Sequence, residues 1–169
     1  EGLNEVTVRA DGRDYTMYVS HYKYIPTVGD YSNEISLVNG KPFTPLAVFA
    51  VDIRQIRDAA KFGFNVFHNY TMTRMEDQYP MKEFLDAVHS VNGYAMIHLQ
   101  HLRIAASDYK PVMERVVKYM NHPATYWWYL FDEPGIFGVD VEQLTFFNDM
   151  IRKLDPYHNV VSSSWYQGK

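Results

Sequence analysis

The sequence contains no cysteine, which removes disulfides and thiolate-held metals from consideration and leaves a core built by packing alone, as suits a reducing cytosol or a secreted enzyme. It also lacks any block of lysine and arginine. With a formal charge of −4 and its basic residues scattered, it has no concentrated positive surface to displace counterions from a phosphate backbone, so nucleic acid is set aside as a partner. No apolar run approaches the roughly 20 residues that cross a bilayer. Residues 1–5 carry no basic-then-apolar leader pattern, so the chain reads as soluble with no membrane partner. Glycine is scarce where a nucleotide fold would need it: Ala50-Val51-Asp52-Ile53, at the end of the first buried apolar run, offers no phosphate-cradling turn. What is abundant is aromatic. Fourteen Tyr, ten Phe and three Trp are enough both to fill a core and to leave rings free to stack on the apolar faces of sugars.

Residues 6–19 alternate, with Val6, Val8 and Ala10 on one face, an Asp11-Gly12 pair, then Tyr15, Met17 and Val19, the pattern of a β-hairpin closed by a two-residue turn. A lone hairpin is marginal in water, so this piece is expected to pack on the rest of the chain or to end an upstream β-domain. Residues 24–33, with Pro26, Gly29, Asp30 and Asn33, have loop chemistry and no period. They set a boundary between a hairpin and linker segment, 1–34, and a second unit, 35–169. That unit opens on another turn signal, Asn39-Gly40, between Leu37 and Phe43.

From residue 43 the pattern becomes strand, helix, strand, helix. Strands are predicted over 43–51, 65–70, 95–101, 126–131 and 159–164, apolar runs of the kind that parallel strands show when both faces are buried. The first helix starts at Asp52 with Gln55 at capping-box spacing. The second runs from about Pro80 to Asn92-Gly93, with the glycine as the residue just past its end. The third starts near Asp108 and carries Val112, Met113, Val116, Val117 and Met120 on its apolar face. The fourth starts at Asp140, again with Gln143 three residues on, and Asp155-Pro156 ends it. About five strands and four helices give an α/β protein. They make roughly half of the eightfold repeat that closes a TIM barrel, so the expected fold is an incomplete (β/α)₈ barrel preceded by a short β segment. A doubly wound open sheet is the structural alternative.

In a barrel, chemistry gathers at the C-terminal ends of the strands. The sharpest local signal sits at such an end: Trp127-Trp128-Tyr129-Leu130-Phe131 delivers Asp132 and Glu133, and Pro134-Gly135 then breaks the strand. A carboxylic acid bordered by aromatic rings is desolvated, which favours the protonated form that a general acid needs. Helix capping, the bland use of such a pair, is already supplied by Asp140. A regular strand would send residues 132 and 133 to opposite sides, so both face the site only if a bulge intervenes. His68, Asn69 and Tyr70, then Gln100 and His101, then Trp165 fall at the ends of neighbouring strands and are candidate sugar contacts, with Trp165 a candidate stacking platform. Each is equally readable as a rim residue satisfied within the fold. Glu76 and Asp77 read as solvated loop charges. The Asn69-Tyr70-Thr71 sequon falls where the site should be and reads as coincidence. His98 and His101, three apart, should point to opposite faces, whereas His68, His101 and Asp132 could converge on a metal ion. The Ser162-Ser163-Ser164 run lacks the glycine-flanked elbow of a hydrolase nucleophile and is discarded in that role.

In their order along the chain, Val38-Asn39-Gly40-Lys41-Pro42-Phe43, Pro45-Leu46, Phe62-Gly63-Phe64-Asn65-Val66, His122-Pro123 and Phe131-Asp132-Glu133-Pro134 resemble the barrel domain of clan A glycoside hydrolases, over residues 35–165. The resemblance implies that 35–169 is the N-terminal half of a glycosidase catalytic domain. It implies hydrolysis of O-glycosidic bonds in oligo- or polysaccharides, Glu133 as acid/base, no cofactor or metal, and a secreted or periplasmic location. That family carries Asn before the glutamate, in contact with the sugar 2-hydroxyl, where this sequence has Asp132. Its second carboxylate comes from strand seven, which five strands do not reach. The chain alone is therefore expected to be incomplete and inactive, with a C-terminal half-barrel or self-association covering the open strand edges. Two alternatives stand beside this reading: a non-catalytic carbohydrate-binding barrel remnant, and a metal-dependent barrel hydrolase using His68, His101 and Asp132.

Overall fold

The computed structural model describes residues 2–21, 36–70, 81–99 and 109–163. Two hairpins lead the chain. Strands β1 (Gly2–Ala10) and β2 (Arg13–His21) pair antiparallel from Gly2 opposite His21 to Ala10 opposite Arg13. Asp11 and Gly12 turn between them with φ of 50° and 74°, the doubly left-handed turn whose twist matches that of paired strands. The same chemistry recurs at Asn39 (φ 51°) and Gly40 (φ 72°) between β3 (Leu37–Val38) and β4 (Lys41–Pro42). Both turns are where the sequence puts them.

Five parallel strands come next in sequential spatial order: β5 (Ala47–Val48), β6 (Val66–His68), β7 (Tyr94–His98), β8 (Thr125–Asp132) and β9 (Asn159–Ser163). Helices α1 (Ile56–Lys61), α2 (Met81–Ser90), α3 (Lys110–Tyr119) and α4 (Val141–Leu154) fill the four connections. Both capping boxes form. Asp52 caps a single 3₁₀ turn, Ile53–Gln55, that runs into α1, and Asp140 caps α4, each with its glutamine reaching back. No described helix is long and apolar enough to cross a membrane.

The two cores decide between barrel and open sheet. One lies between the sheet and all four helices, joining Phe67, Ala95, Ile97 and Trp128 to Ile56, Phe84, Val116 and Phe147. The other, on the opposite face, holds strand residues Val66, Met96, Tyr126 and Tyr129 with Val38 of the hairpin. A doubly wound sheet would carry helices on both faces and reverse its strand order. Here the strand order is sequential and every described helix covers one face, which is the singly wound arrangement of a partial (β/α)₈ barrel. The hairpin plugs the inner face at its N-terminal end. Phe43 meets Tyr94 and Tyr126 edge-on, with ring centroids 5.2 and 5.6 Å apart, and the Ser36 and Tyr126 hydroxyls lie 2.5 Å apart.

Strand β8 departs from strict alternation twice. Against β7, Ala95 pairs with Thr125 and Met96 with Trp127, so β8 gains a residue at Tyr126. Against β9, Tyr129 pairs with Val161 and Asp132 with Ser163, so β8 gains another residue between Tyr129 and Asp132. These are bulges, and their effect shows in the cores. Tyr126 and Trp127 both pack toward the inner core, while Leu130 and Phe131 both belong to the helix-side core. After the second bulge Asp132 returns to the face of Tyr129, three residues earlier, whereas a regular strand would place them on opposite sides.

Two sequence expectations are corrected. The first parallel strand is two residues long instead of spanning 43–51, because Ala50 takes a left-handed φ of 56° and pairing resumes only where the Val51 N–H donates to the His68 carbonyl at 3.0 Å. Beyond α2 the left-handed residue is Asn92, with φ of 55°, and not Gly93. Gly93 serves close packing instead: a Cβ there would sit 2.5 Å from the Phe67 ring. The starts predicted at Pro80 and Asp108 lie outside the described residues. Gly93→Ala is expected to destabilise the fold by about 1–3 kcal/mol through overpacking. Asn92→Gly should change it little, because glycine accepts that φ without strain. Urea denaturation of both variants checks the contrast.

Candidate functional site at the strand ends

The inner face of the sheet ends in a cluster of rings. His68, the last residue of β6, and His98, the last of β7, face each other with Nε2 of the first 3.2 Å from Nδ1 of the second, and neither is exposed. Phe49, which follows β5, stacks on His68 at 4.4 Å, and Tyr129 packs edge-on against His68 at 4.6 Å and stacks on His98 at 5.3 Å. Tyr70 closes the group, its ring 4.8 Å from that of His98 and 5.2 Å from that of Phe49. Phe49 remains 52% exposed, so the buried imidazoles are roofed by a ring that solvent, or a ligand, can reach.

Burial sets the charge state of this floor. It pulls His68 down to about 4, outweighing the Asp132 carboxylate, whose charge favours the protonated ring. Behind the sheet, burial brings Arg115 of α3 down to about 10, and its guanidinium reaches the His98 carbonyl at 3.4 Å. Asn69 is buried and employed by the fold: Oδ1 accepts the His98 N–H at 2.7 Å, and Nδ2 lies 3.5 Å from the Met81 sulfur.

The Asp132 carboxylate stands close to the imidazoles. Asp132 Oδ1 lies 2.8 Å from both the Tyr129 phenol and the Ser163 hydroxyl, which are 2.6 Å from each other. Burial pushes the Tyr129 phenol up to about 12; the Asp132 charge adds to the rise and a hydrogen bond with Ser163 opposes it. The phenol is therefore a protonated donor at neutral pH. Glu133 comes directly after, half-buried, in a left-handed conformation with φ of 52°. Its N–H donates to the Ser163 carbonyl at 3.2 Å, and its own carbonyl accepts from Ile136 at 2.9 Å. Of the five described non-glycine residues with positive φ, Asp11, Asn39 and Asn92 are in turns that suit them, while Ala50 and Glu133 each follow a parallel strand at this rim. Left-handed backbone in such residues costs of order 1 kcal/mol and gathers at functional sites.

Of the residues expected here, Tyr70, Asp132 and Glu133 lie at the rim, and His68 and Asn69 lie buried beneath it. His101, Trp165 and Gln100 lie outside the described residues, as do Glu76, Asp77 and Ser164. Among the described residues no three His, Asp or Glu side chains are grouped to hold a metal ion, and the proposed metal set includes His101. The sequence did not point to Phe49 or Tyr129, offered His98 only as facing away from His101, and offered Ser163 only in a discarded nucleophile role. Strict alternation could have placed His68 and His98 on one face, but the bulge that joins Tyr129 to Asp132 has no sequence signal. Among the described residues, one outer groove of about 500 Å³ lies against α1 and α2 and another of about 450 Å³ between α3 and α4. Both lie on the helix side, away from the strand ends.

No protein-family model and no curated protein sequence matches the chain. Solved structures do. The exo-chitosanase CsxA of Amycolatopsis orientalis superposes over 96% of this chain with a TM-score of 0.56 at 15% identity. The likeness is one of fold. A structure of the exo-β-D-glucosaminidase CsxA, from a study of its inhibition by castanospermine and australine analogues, covers 96% of the chain with a TM-score of 0.49 at 12% identity. Both neighbours are glycoside hydrolases by name, and this chain spans 22% and 19% of their lengths.

The buried imidazole gives a pH prediction. Unfolded His68 takes up its proton near 6.5 and folded His68 near 4, so between those values the unfolded chain binds more protons. Stability is then lost as pH falls from 6.5 toward 4 and is regained as pH rises. The shift corresponds to up to about 3 kcal/mol. Chemical denaturation across that window should show a shallower loss for His68→Gln than for the wild type, whatever their difference at pH 8.

Proposed function

We propose that this chain forms part of the active site of a glycosidase of the clan A type, in which Glu133 protonates the glycosidic oxygen as the bond breaks. The observation that carries the reading is the end of β8. A bulge turns Asp132 inward onto two hydroxyls, and Glu133 comes next in a strained backbone at the C-terminal rim of the fourth parallel strand. That rim is where barrel enzymes build their sites, and the fold is shared with an exo-chitosanase.

Glycoside hydrolysis needs a second carboxylate, about 5–5.5 Å from the first in retaining enzymes and farther off in inverting ones. Among the described residues no third carboxylate is available at the rim: Asp52, which follows β5, caps its helix and binds Arg54 through both oxygens. In the clan A pattern the partner belongs to strand seven, so the complete site draws on a further half-barrel, supplied by sequence beyond these five strands or by a second copy. Phe49 and Tyr70 supply faces on which a pyranose could stack. Should a carboxylate partner be lacking altogether, the same rings would make a carbohydrate-binding surface without turnover.

The test is hydrolysis of a panel of aryl glycosides with both good and poor leaving groups by the chain, by the chain extended through its native downstream sequence, and by the extended Glu133→Gln variant. Turnover is expected in the extended wild type and not in the chain alone. For substrates whose leaving group needs protonation, the variant should lose about 10²- to 10⁴-fold in rate. Equal rates for variant and wild type would remove Glu133 from the role, and sugar binding without hydrolysis in any form would favour the binding surface.

A further inference from the structure

The serine run at the end of β9 has a use unrelated to nucleophilic attack. The second bulge in β8 interrupts the ladder to β9 over residues 130 and 131, and a bulge leaves backbone groups that must find other partners. Two adjacent serines meet that need. The Ser162 hydroxyl takes the Phe131 N–H at 3.3 Å, and the Ser163 carbonyl takes the Glu133 N–H at 3.2 Å. Through its hydroxyl, Ser163 also holds Asp132 Oδ1 at 2.8 Å and the Tyr129 phenol at 2.6 Å. One residue of β9 thus fixes the backbone of one carboxylate residue and the side chain of the other.

We propose that Ser163, aided by Tyr129, is a positioning residue that fixes the relative placement of Asp132 and Glu133. The proposal rests on the glycosidase reading for its catalytic consequence and on geometry alone for the rest. Ser163 touches no reacting atom; it acts through its neighbours. Without its hydroxyl, Asp132 keeps the Tyr129 bond but loses its tie to β9, and the backbone leading into left-handed Glu133 loses a side-chain anchor on one side of the bulge. Threonine keeps the hydroxyl, and Ser163 is exposed enough to accept the extra methyl group.

Ser163→Ala, Ser163→Thr and Tyr129→Phe are compared with the wild type in two readouts. Amide hydrogen exchange in the chain itself reads the geometry. The Ser163 main-chain carbonyl that accepts the Glu133 N–H is kept in every variant, so any loosening reads only the lost hydroxyl tie to Asp132. Protection of the Glu133 N–H should fall severalfold, at most about tenfold, in Ser163→Ala, less in Tyr129→Phe and hardly at all in Ser163→Thr, with the thermal midpoint nearly constant. In a form that hydrolyses aryl glycosides, kcat should fall about a hundredfold in Ser163→Ala, the scale of an ångström's misplacement. KM should stay nearly unchanged, and threonine should restore the rate. Unchanged exchange at Glu133, or a wild-type kcat in Ser163→Ala, overturns the proposal. If exchange loosens and threonine restores it while no form hydrolyses any glycoside, the positioning stands and the glycosidase reading is what fails.

Discussion

Strand β8 has to serve two cores and a rim at once, and it does so by breaking its own alternation. Trp128 must stay on the helix side, where its indole N–H donates to the buried Asp155 carboxylate at 2.8 Å. Tyr126 and Tyr129 must fill the inner face. A strand with a strict period of two cannot place residues 126, 129 and 132 together on one side. The two bulges remove that constraint, and the second brings Asp132 to the same side as the phenol and imidazoles that precede it. Everything distinctive about the site depends on that extra residue. The Tyr129–Asp132–Ser163 contacts, the serine hydroxyl that replaces a ladder bond and the left-handed turn into Glu133 are consequences of one interrupted register.

Beneath Asp132, burial disfavours charge on His68. His68 and His98 share a contact of 3.2 Å under a roof of Phe49, Tyr70 and Tyr129, and burial disfavours the imidazolium despite nearby Asp132. The floor beneath Asp132 is thus built of aromatic rings, with His68 uncharged at neutral pH. Arg115 is buried behind the sheet and contacts a backbone carbonyl instead of the site.

Much of the architecture could be read from the sequence because it is written in local chemistry. Asp11-Gly12 and Asn39-Gly40 mark their turns by tolerance of positive φ. Asp52 with Gln55 and Asp140 with Gln143 mark helix starts by spacing, and Asp155-Pro156 marks a helix end. The rhythm of apolar strands and amphipathic helices gave the order of elements, and the single helix-covered face confirms the barrel over the open sheet. What stayed hidden depends on pairing between distant segments. No local pattern says that Met96 opposes Trp127 and not Tyr126, that Gly93 is small because Phe67 lies against it, or that Ser163 reaches Asp132. For the same reason Glu133 was visible as a strand-end acid while its strained backbone and the groups that hold its neighbour were not. The shared fold at 15% identity makes a parallel point: a barrel tolerates nearly complete replacement of its residues, so function has to be argued from the site.

Under the proposed glycosidase reading, a sugar binds at the inner, C-terminal rim of the sheet, against Asp132 and the ring cluster. Titration of the isotope-labelled chain with an oligosaccharide, followed residue by residue by NMR, tests it most directly. Shift changes are expected to converge on Phe49, Tyr70, Tyr129, Asp132 and Glu133. Changes confined to the helix side, such as the groove lined by Tyr109 and Phe146, or no change with any sugar, would contradict it.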